Sequence, residues 1–176
     1  PTLAYDDLFK IVIEGILKQT AECKTNGEQG TFWNMVQFFF SEGIINDTAD
    51  FMVRYKMKLK TDVVDVAWLE KKPILYLQTS RIFNLYRKEG RKSDEKVLPT
   101  DALKYYLVNS PSYLGQKVAR FNVYRNGFPV LDSVRKDKFG NPAKLSQAAR
   151  CYCFDYQKLV DQYGLNMITG DGVPED

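Results

Sequence analysis

The sequence predicts an α+β fold built on a winged-helix-like core: a helix-turn-helix followed by a β-hairpin wing. Three observations predict it. From Thr79 to Lys144 the pattern reads helix, helix, then a strand and a long polar tip whose partner strand follows at Ala148. Upstream of Thr79 stand a helix and a short strand, which completes the element order of that fold. The Thr79–Lys144 stretch also holds fourteen of the 25 Lys and Arg residues against six acids, a formal charge of +8. The other 110 residues carry eleven bases and sixteen acids, a charge of −5. A basic half beside an acidic half is the electrostatic footprint of polyanion binding.

The elements follow in order. Asp6 and Asp7 precede Leu8, Phe9, Val12, Ile13, Ile16 and Leu17, the spacing of an amphipathic helix over Tyr5 to Thr20. Thr25 to Gly30 is a polar connection, and residues 1–27 form an extra N-terminal helix and linker. Thr31 is placed to cap a second helix carrying Phe32, Trp33, Met35, Val36, Phe39 and Phe40, with Gly43 at its stop. Phe51 to Lys60 alternates apolar residues with Met52, Arg54, Lys56, Lys58 and Lys60, a period-two strand with one strongly cationic face. That face is either charged edge protection or a nucleic-acid contact. A second strand at Val63 to Trp68 completes an inserted hairpin, and Pro73 to Gln78 is the short strand of the core.

Thr79 or Ser80 caps a helix to Glu89, buried through Ile82, Phe83 and Tyr86, and a basic turn runs from Gly90 to Lys96. Thr100 caps the next helix, to Asn109, with Asp101 in its first turn and Lys104, Tyr105 and Val108 facing outward. The wing pairs Lys117–Arg125 with Ala148–Phe154, Asn126-Gly127 is a turn signal, and Asp132 to Asn141 is the basic tip. A last helix spans Tyr156 to Tyr163 and stops at Gly164. The winged-helix-like domain is therefore 28–165, with a flexible tail over 166–176.

Absences narrow the chemistry. With 176 residues the chain can bury roughly 70% of its unfolded surface, and 44% hydrophobic content suits a packed core. No 18-residue apolar stretch and no signal peptide are visible, so a cytoplasmic protein without membrane contact is expected. The chain has no histidine, which removes Ser-His-Asp and Cys-His catalysis and His-ligated zinc. Cys23, Cys151 and Cys153 are too few for a four-thiolate site. Cys151 and Cys153 share one strand face and read as small buried apolar residues. No G-x-x-x-x-G-K-[ST] or G-x-G-x-x-G loop occurs, so the chain is not expected to be an enzyme by itself and no cofactor is implied. Asp62 with Asp65, or Asp132 with Asp137, could be proposed as Mg²⁺ carboxylates, but each pair lacks a third ligand and reads better as turn acids.

The candidate contacts are cations that reach phosphates. They are Arg87, Lys88, Arg91 and Lys92 around the basic turn, and Arg135, Lys136, Lys138 and Lys144 at the wing tip. Lys104, Tyr105 and Asn109 are the outward polar groups of the helix from Thr100, the expected recognition helix, and three are too few for strong base reading. Tyr105, Tyr113, Tyr124, Phe128 and Phe139 interleave with these cations, which suits stacking on single-stranded bases if they are not core.

The runs PILYLQTSRIFNLYRKEG, LPTDALKYYLVNSPSYLGQKVARFNV and ARCYCFDYQKL resemble the C-terminal region of primase- or helicase-like proteins of bacterial mobile elements, over Gly30 to Leu165. The resemblance implies a non-catalytic accessory domain for DNA replication or mobilisation, following a P-loop ATPase domain in one parent chain. A start at Pro1 without methionine is expected of such a piece. It carries over no active-site residue. The expected partner is nucleic acid, DNA in a single- or double-stranded form left open. The alternative is a protein-interaction domain of winged-helix type with no nucleic-acid contact.

Overall fold

The computed structural model describes residues 27, 29–93 and 97–168. Within them the chain forms a curled, four-stranded antiparallel sheet with helices against one face. The expected N-terminal helix at Tyr5–Thr20, Cys23, Lys96 and the tail from Gly170 lie outside the described residues.

Helix α1 covers 29–41 and buries Phe32, Trp33, Val36 and Phe39, a stripe at helical spacing. The Thr31 hydroxyl donates back to the Gly27 carbonyl at 3.1 Å, so Thr31 sits inside the helix and does not cap it. Gly43, at φ +70, ends it: the Ile44 N–H reaches Phe39 O at 2.8 Å and the Gly43 N–H reaches Phe40 O at 3.1 Å. Those crossed bonds satisfy the last carbonyls, and the left-handed backbone suits glycine.

Strands β1 (Phe51–Lys60) and β2 (Asp65–Gln78) pair from Phe51↔Leu77 to Lys60↔Asp65. The sequence predicts two strands where β2 is one. The register jumps from Lys56↔Lys72 to Lys58↔Ala67, so the Trp68–Lys71 segment bulges out of a continuous strand and leaves Leu69 99% exposed. A bulge bends a strand and reverses which side chains face which way. Phe51 and Val53 accordingly join the helix-side core, while Leu59 beyond the bulge joins a second core on the other face.

Helix α2 (Thr79–Ser93) runs four residues past its expected end at Glu89. Gly90 lies inside it because a Cβ there would meet Val97 Cγ2 at 1.7 Å; the glycine serves close packing and not a turn. Helix α3 (Thr100–Val108) starts after Pro99, and no side chain caps it, so Thr100 is its first residue and not its cap. Strand β3 (Tyr113–Asn122) pairs antiparallel with β8 (Ser146–Asp155), with Lys117↔Cys151 and Arg120↔Ala148. Between them stand two short ribbons, β4 (Tyr124–Arg125) with β5 (Phe128–Pro129), and β6 (Leu131–Lys136) with β7 (Pro142–Lys144). They form an arm over 123–145. Asn126 and Gly127, at φ +52 and +80, make the expected two-residue turn between β4 and β5.

The sheet order is β1-β2-β8-β3, so the β1–β2 hairpin is half of the main sheet and not an insertion beside a three-stranded core. The α+β class holds, with the sheet and not a helix-turn-helix as the dominant element. On the helix side, Trp33 meets Phe154 edge-on at 4.9 Å and Phe32 meets Tyr86 at 5.5 Å. On the other face Ile74, Tyr76, Phe121, Cys151 and Cys153 are buried because the hairpin curls over them. Its tip reaches the far edge strand: Thr61 Oγ1 donates to Leu114 O at 2.6 Å, and Asp62 accepts from the Gln116 N–H at 2.8 Å. Gly115, at φ +110, permits this approach, since a Cβ would lie 2.1 Å from Thr61 Oγ1. At the other end the Asn122 N–H donates to Thr48 O at 2.7 Å.

Helix α4 (Tyr156–Tyr163) keeps its expected bounds, with the Asp155 side chain at its N-cap and Gly164 at φ +68 after it. The chain stays packed beyond the expected boundary at 165. Met167 is buried and its N–H donates to the Tyr156 hydroxyl at 2.8 Å.

Candidate nucleic-acid interface

The ten expected contact residues fall in three places. Arg87, Lys88, Arg91 and Lys92 all lie on the C-terminal half of α2, exposed, and not on a flexible turn. Helical spacing aligns Arg87, Lys88 and Arg91 with Ser80 and Asn84 on the face opposite Ile82, Phe83 and Tyr86. Arg87 donates to the Asn84 side-chain oxygen, which orients its guanidinium along the helix. Lys88, Arg91 and Lys92 meet no carboxylate among the described residues.

On α3 the outward set is as expected: Asp101, Lys104, Tyr105 and Val108 are exposed while Leu103 and Leu107 are buried. The Lys104 ammonium is already engaged, 5.6 Å over the Phe83 ring of α2. Tyr105 is 67% exposed.

The arm carries the third group. Arg135 pairs with Asp132 at 2.9 Å. The Asp132 carboxylate also accepts from the Val134 and Arg135 N–H groups at 2.8 and 3.1 Å. Those bonds, the Val134 N–H foremost and then the Arg135 side chain, hold its carboxyl down at about 2. Asp137 closes the tip by accepting from the Phe139 and Asn141 N–H groups at 2.8 and 3.0 Å. Both aspartates therefore build turns. Lys138 sits 5.1 Å over the Phe139 ring, and Lys136 and Lys144 are exposed with no carboxylate among the described residues.

The five interleaved aromatics separate cleanly. Phe128 and Phe139 on the arm are 75% and 76% exposed, and Tyr105 is open on α3. Tyr113 belongs to the core instead, packed at 5.3 Å on Tyr152 and 5.7 Å on Phe154. Tyr124 is half-buried at the arm's root.

That root faces α2 across a polar cleft of about 580 Å³, lined by Arg81, Asn84, Asn122, Tyr124, Asn126 and Gln147 among others. Arg81 is held there by Asp50 at 3.2 Å. The cleft joins the α2 stripe to the arm, but no hydrogen bond or ion pair among the described residues ties the arm's tip to α2 or α3. Sequence reasoning missed the cleft because its side chains come from four separate stretches that only the closed sheet assembles. It also missed Arg120 and Arg150, exposed on β3 and β8 on the helix side of the sheet.

No protein-family model, curated protein or solved structure matches the chain. No helix among the described residues is long and apolar enough to cross a membrane.

Proposed function

We propose that this chain is a non-catalytic DNA-binding module that holds a single strand along its arm and the exposed stripe of α2. The observation that carries this reading is the arm itself. It presents Arg125, Arg135, Lys136, Lys138 and Lys144 beside two phenylalanines that are three-quarters exposed. Cations that track a backbone beside open aromatic faces are the components of single-strand binding, where each stacked base contributes roughly 1–3 kcal/mol. In winged-helix terms, α2 and α3 are the helix-turn-helix and β3, β8 and the arm are the wing. Lys104 is occupied on Phe83, which supports a wing-led contact over base reading by α3.

The resemblance to mobile-element primase- and helicase-like proteins supports a cytoplasmic accessory role beside an ATPase domain of one parent chain. One observation favours a second reading: Leu131 and Val134, aliphatic and 55% and 83% exposed on the same arm, suit a protein partner better than a phosphate backbone.

Fluorescence anisotropy with a labelled 20-nucleotide single strand and the matching duplex, at low salt, tests the proposal. Binding with preference for the single strand is the expected result. No binding to either form sinks it and favours protein docking.

A further inference from the structure

The polar cleft between α2 and the arm's root differs in charge from its surroundings. Only Asp50 and Arg81 in its lining are charged, and they pair at 3.2 Å, so the cleft offers a phosphate no net charge. Six side-chain amides line it instead: Asn46, Gln78, Asn84, Asn122, Asn126 and Gln147. Asn122 is tied to Thr48 Oγ1 at 2.8 Å, and Asn84 accepts from Arg87. The side-chain amides of Asn46, Gln78, Asn126 and Gln147 have no hydrogen-bond partner among the described residues, and none of the four residues is buried. Folding collects them from separate strands and turns: Gln78 ends β2 opposite Cys151, and Gln147 stands on β8 opposite Phe121. Tyr124, half-buried, lines the same cleft. Exposed cations border it on both sides, Arg87 about one turn beyond Asn84 on α2 and Arg125 between Tyr124 and Asn126 on the arm.

We infer that this cleft takes in one unstacked base of the bound strand and prefers adenine, an assignment that rests on a single strand running along the arm and α2. A side-chain amide offers a donor and an acceptor side by side, and Asn or Gln meets N6 and N7 of adenine with both. Guanine is met at O6 and N7 by Arg or Lys, and the lining's one cation, Arg81, is held by Asp50. The flanking cations then hold phosphates, the amides hold the base edge, and Tyr124 supplies a ring for stacking. A volume of about 580 Å³ lies within the roughly 300–1,000 Å³ of ligand pockets. A base must leave its stack to enter, which costs least in a single strand.

Anisotropy on the whole chain tests the assignment, with labelled all-thymine strands and the same strands carrying one central adenine, cytosine or guanine. The adenine strand should bind at least about fivefold tighter than the all-thymine one, with cytosine and guanine within about twofold of thymine. Gln78→Ala with Gln147→Ala should erase the adenine advantage and leave all-thymine affinity within about twofold. Asn126→Gly, which suits the φ of +52 there, should reduce the advantage and serves if the first pair fails to fold. Arg135→Ala, Lys136→Ala and Lys138→Ala together should weaken every strand and keep the ratio. Equal affinity for adenine and thymine strands, an equal gain from guanine, or an adenine advantage that survives both amide variants would each overturn the inference while backbone binding stands. Nitrogen-15 NMR with free deoxyadenosine and thymidine separates the cleft from the strand. Deoxyadenosine at millimolar concentration should shift the Gln78 and Gln147 side-chain amide signals, and thymidine should not. If no strand binds, the single-strand proposal fails and this titration alone decides the cleft: those shifts uphold the adenine site, and their absence overturns it.

Discussion

The sheet beneath the helices and the arm that leaves its far end use their aromatic side chains in opposite ways. Phe154 on β8 is fully buried, with Trp33 edge-on at 4.9 Å and Tyr113 at 5.7 Å. Phe128 and Phe139 share the same residue type and are three-quarters open, each bordered by cations. The buried group contributes stability through area removed from water and close packing. The arm contributes little of that. Short two-stranded ribbons with no helix over them are marginal alone, and here turns made by Asp132, Asp137 and Asn126-Gly127 hold the arm's shape. The arm leaves its two phenylalanine rings and most of its cations open to solvent.

This division can be broken most sharply through stability. Phe154→Ala should cost about 3–5 kcal/mol in urea unfolding, because it opens a cavity beneath Trp33 that the sheet cannot collapse. Phe139→Ala should stay within roughly 0.5 kcal/mol of the wild type. A cost above about 2 kcal/mol for the arm residue would mean that the arm packs against the body, and the contrast would fail.

A smaller effect sharpens the arm's role. Phe128→Ala with Phe139→Ala should weaken single-strand binding by roughly 1–3 kcal/mol per base unstacked and leave duplex binding nearly unchanged. Equal losses on both forms would show that the rings act through arm geometry and not through stacking.

The smallest concerns pH. The Asp132 carboxyl is lowered from its ordinary 3.8 to about 2, so its turn is favoured above pH 4 and loses that contribution as pH falls through 2. The side chain is partly covered by its own turn at the arm's tip, far from the core, and the consequence is local: carbon-detected NMR should titrate it near 2 while the core resonances hold. A midpoint near 3.8 would remove Asp132 as the organiser of the tip.

Much of this was legible where periodicity and turn chemistry are local. The α1 stripe, the full extent of α4 between Asp155 and Gly164, the Asn126-Gly127 turn and the β3–β8 pairing all follow from short-range patterns. The outward face of α3 does too. What was not legible depends on distant partners. Gly90 reads as a helix stop until Val97 packs onto it, and Trp68–Lys71 reads as a break between strands until β1 shows it to be a bulge. The place of β8 between β2 and β3 has no local signal, and with it goes the β1–β2 hairpin's role as half of the sheet. The candidate cations were visible as charge. Their sorting was not, since Lys104 over Phe83 and Lys117 beside the Lys56 strand both need the folded sheet.

The claim that the arm grips a nucleic-acid backbone is tested most directly by the salt dependence of affinity, for the wild type and for the variant with Arg135, Lys136 and Lys138 all changed to Ala. With about four phosphates neutralised, log K against log salt should fall with a slope of about −3 on a single strand and nearer −4 on a duplex. The triple variant should flatten that slope by about 2–3 and bind all sequences more weakly alike. A wild-type slope near zero would contradict the account. So would an unchanged slope in the triple variant alongside a flattened one after Lys56→Ala and Lys58→Ala, which would move the contact from the arm to the curled hairpin.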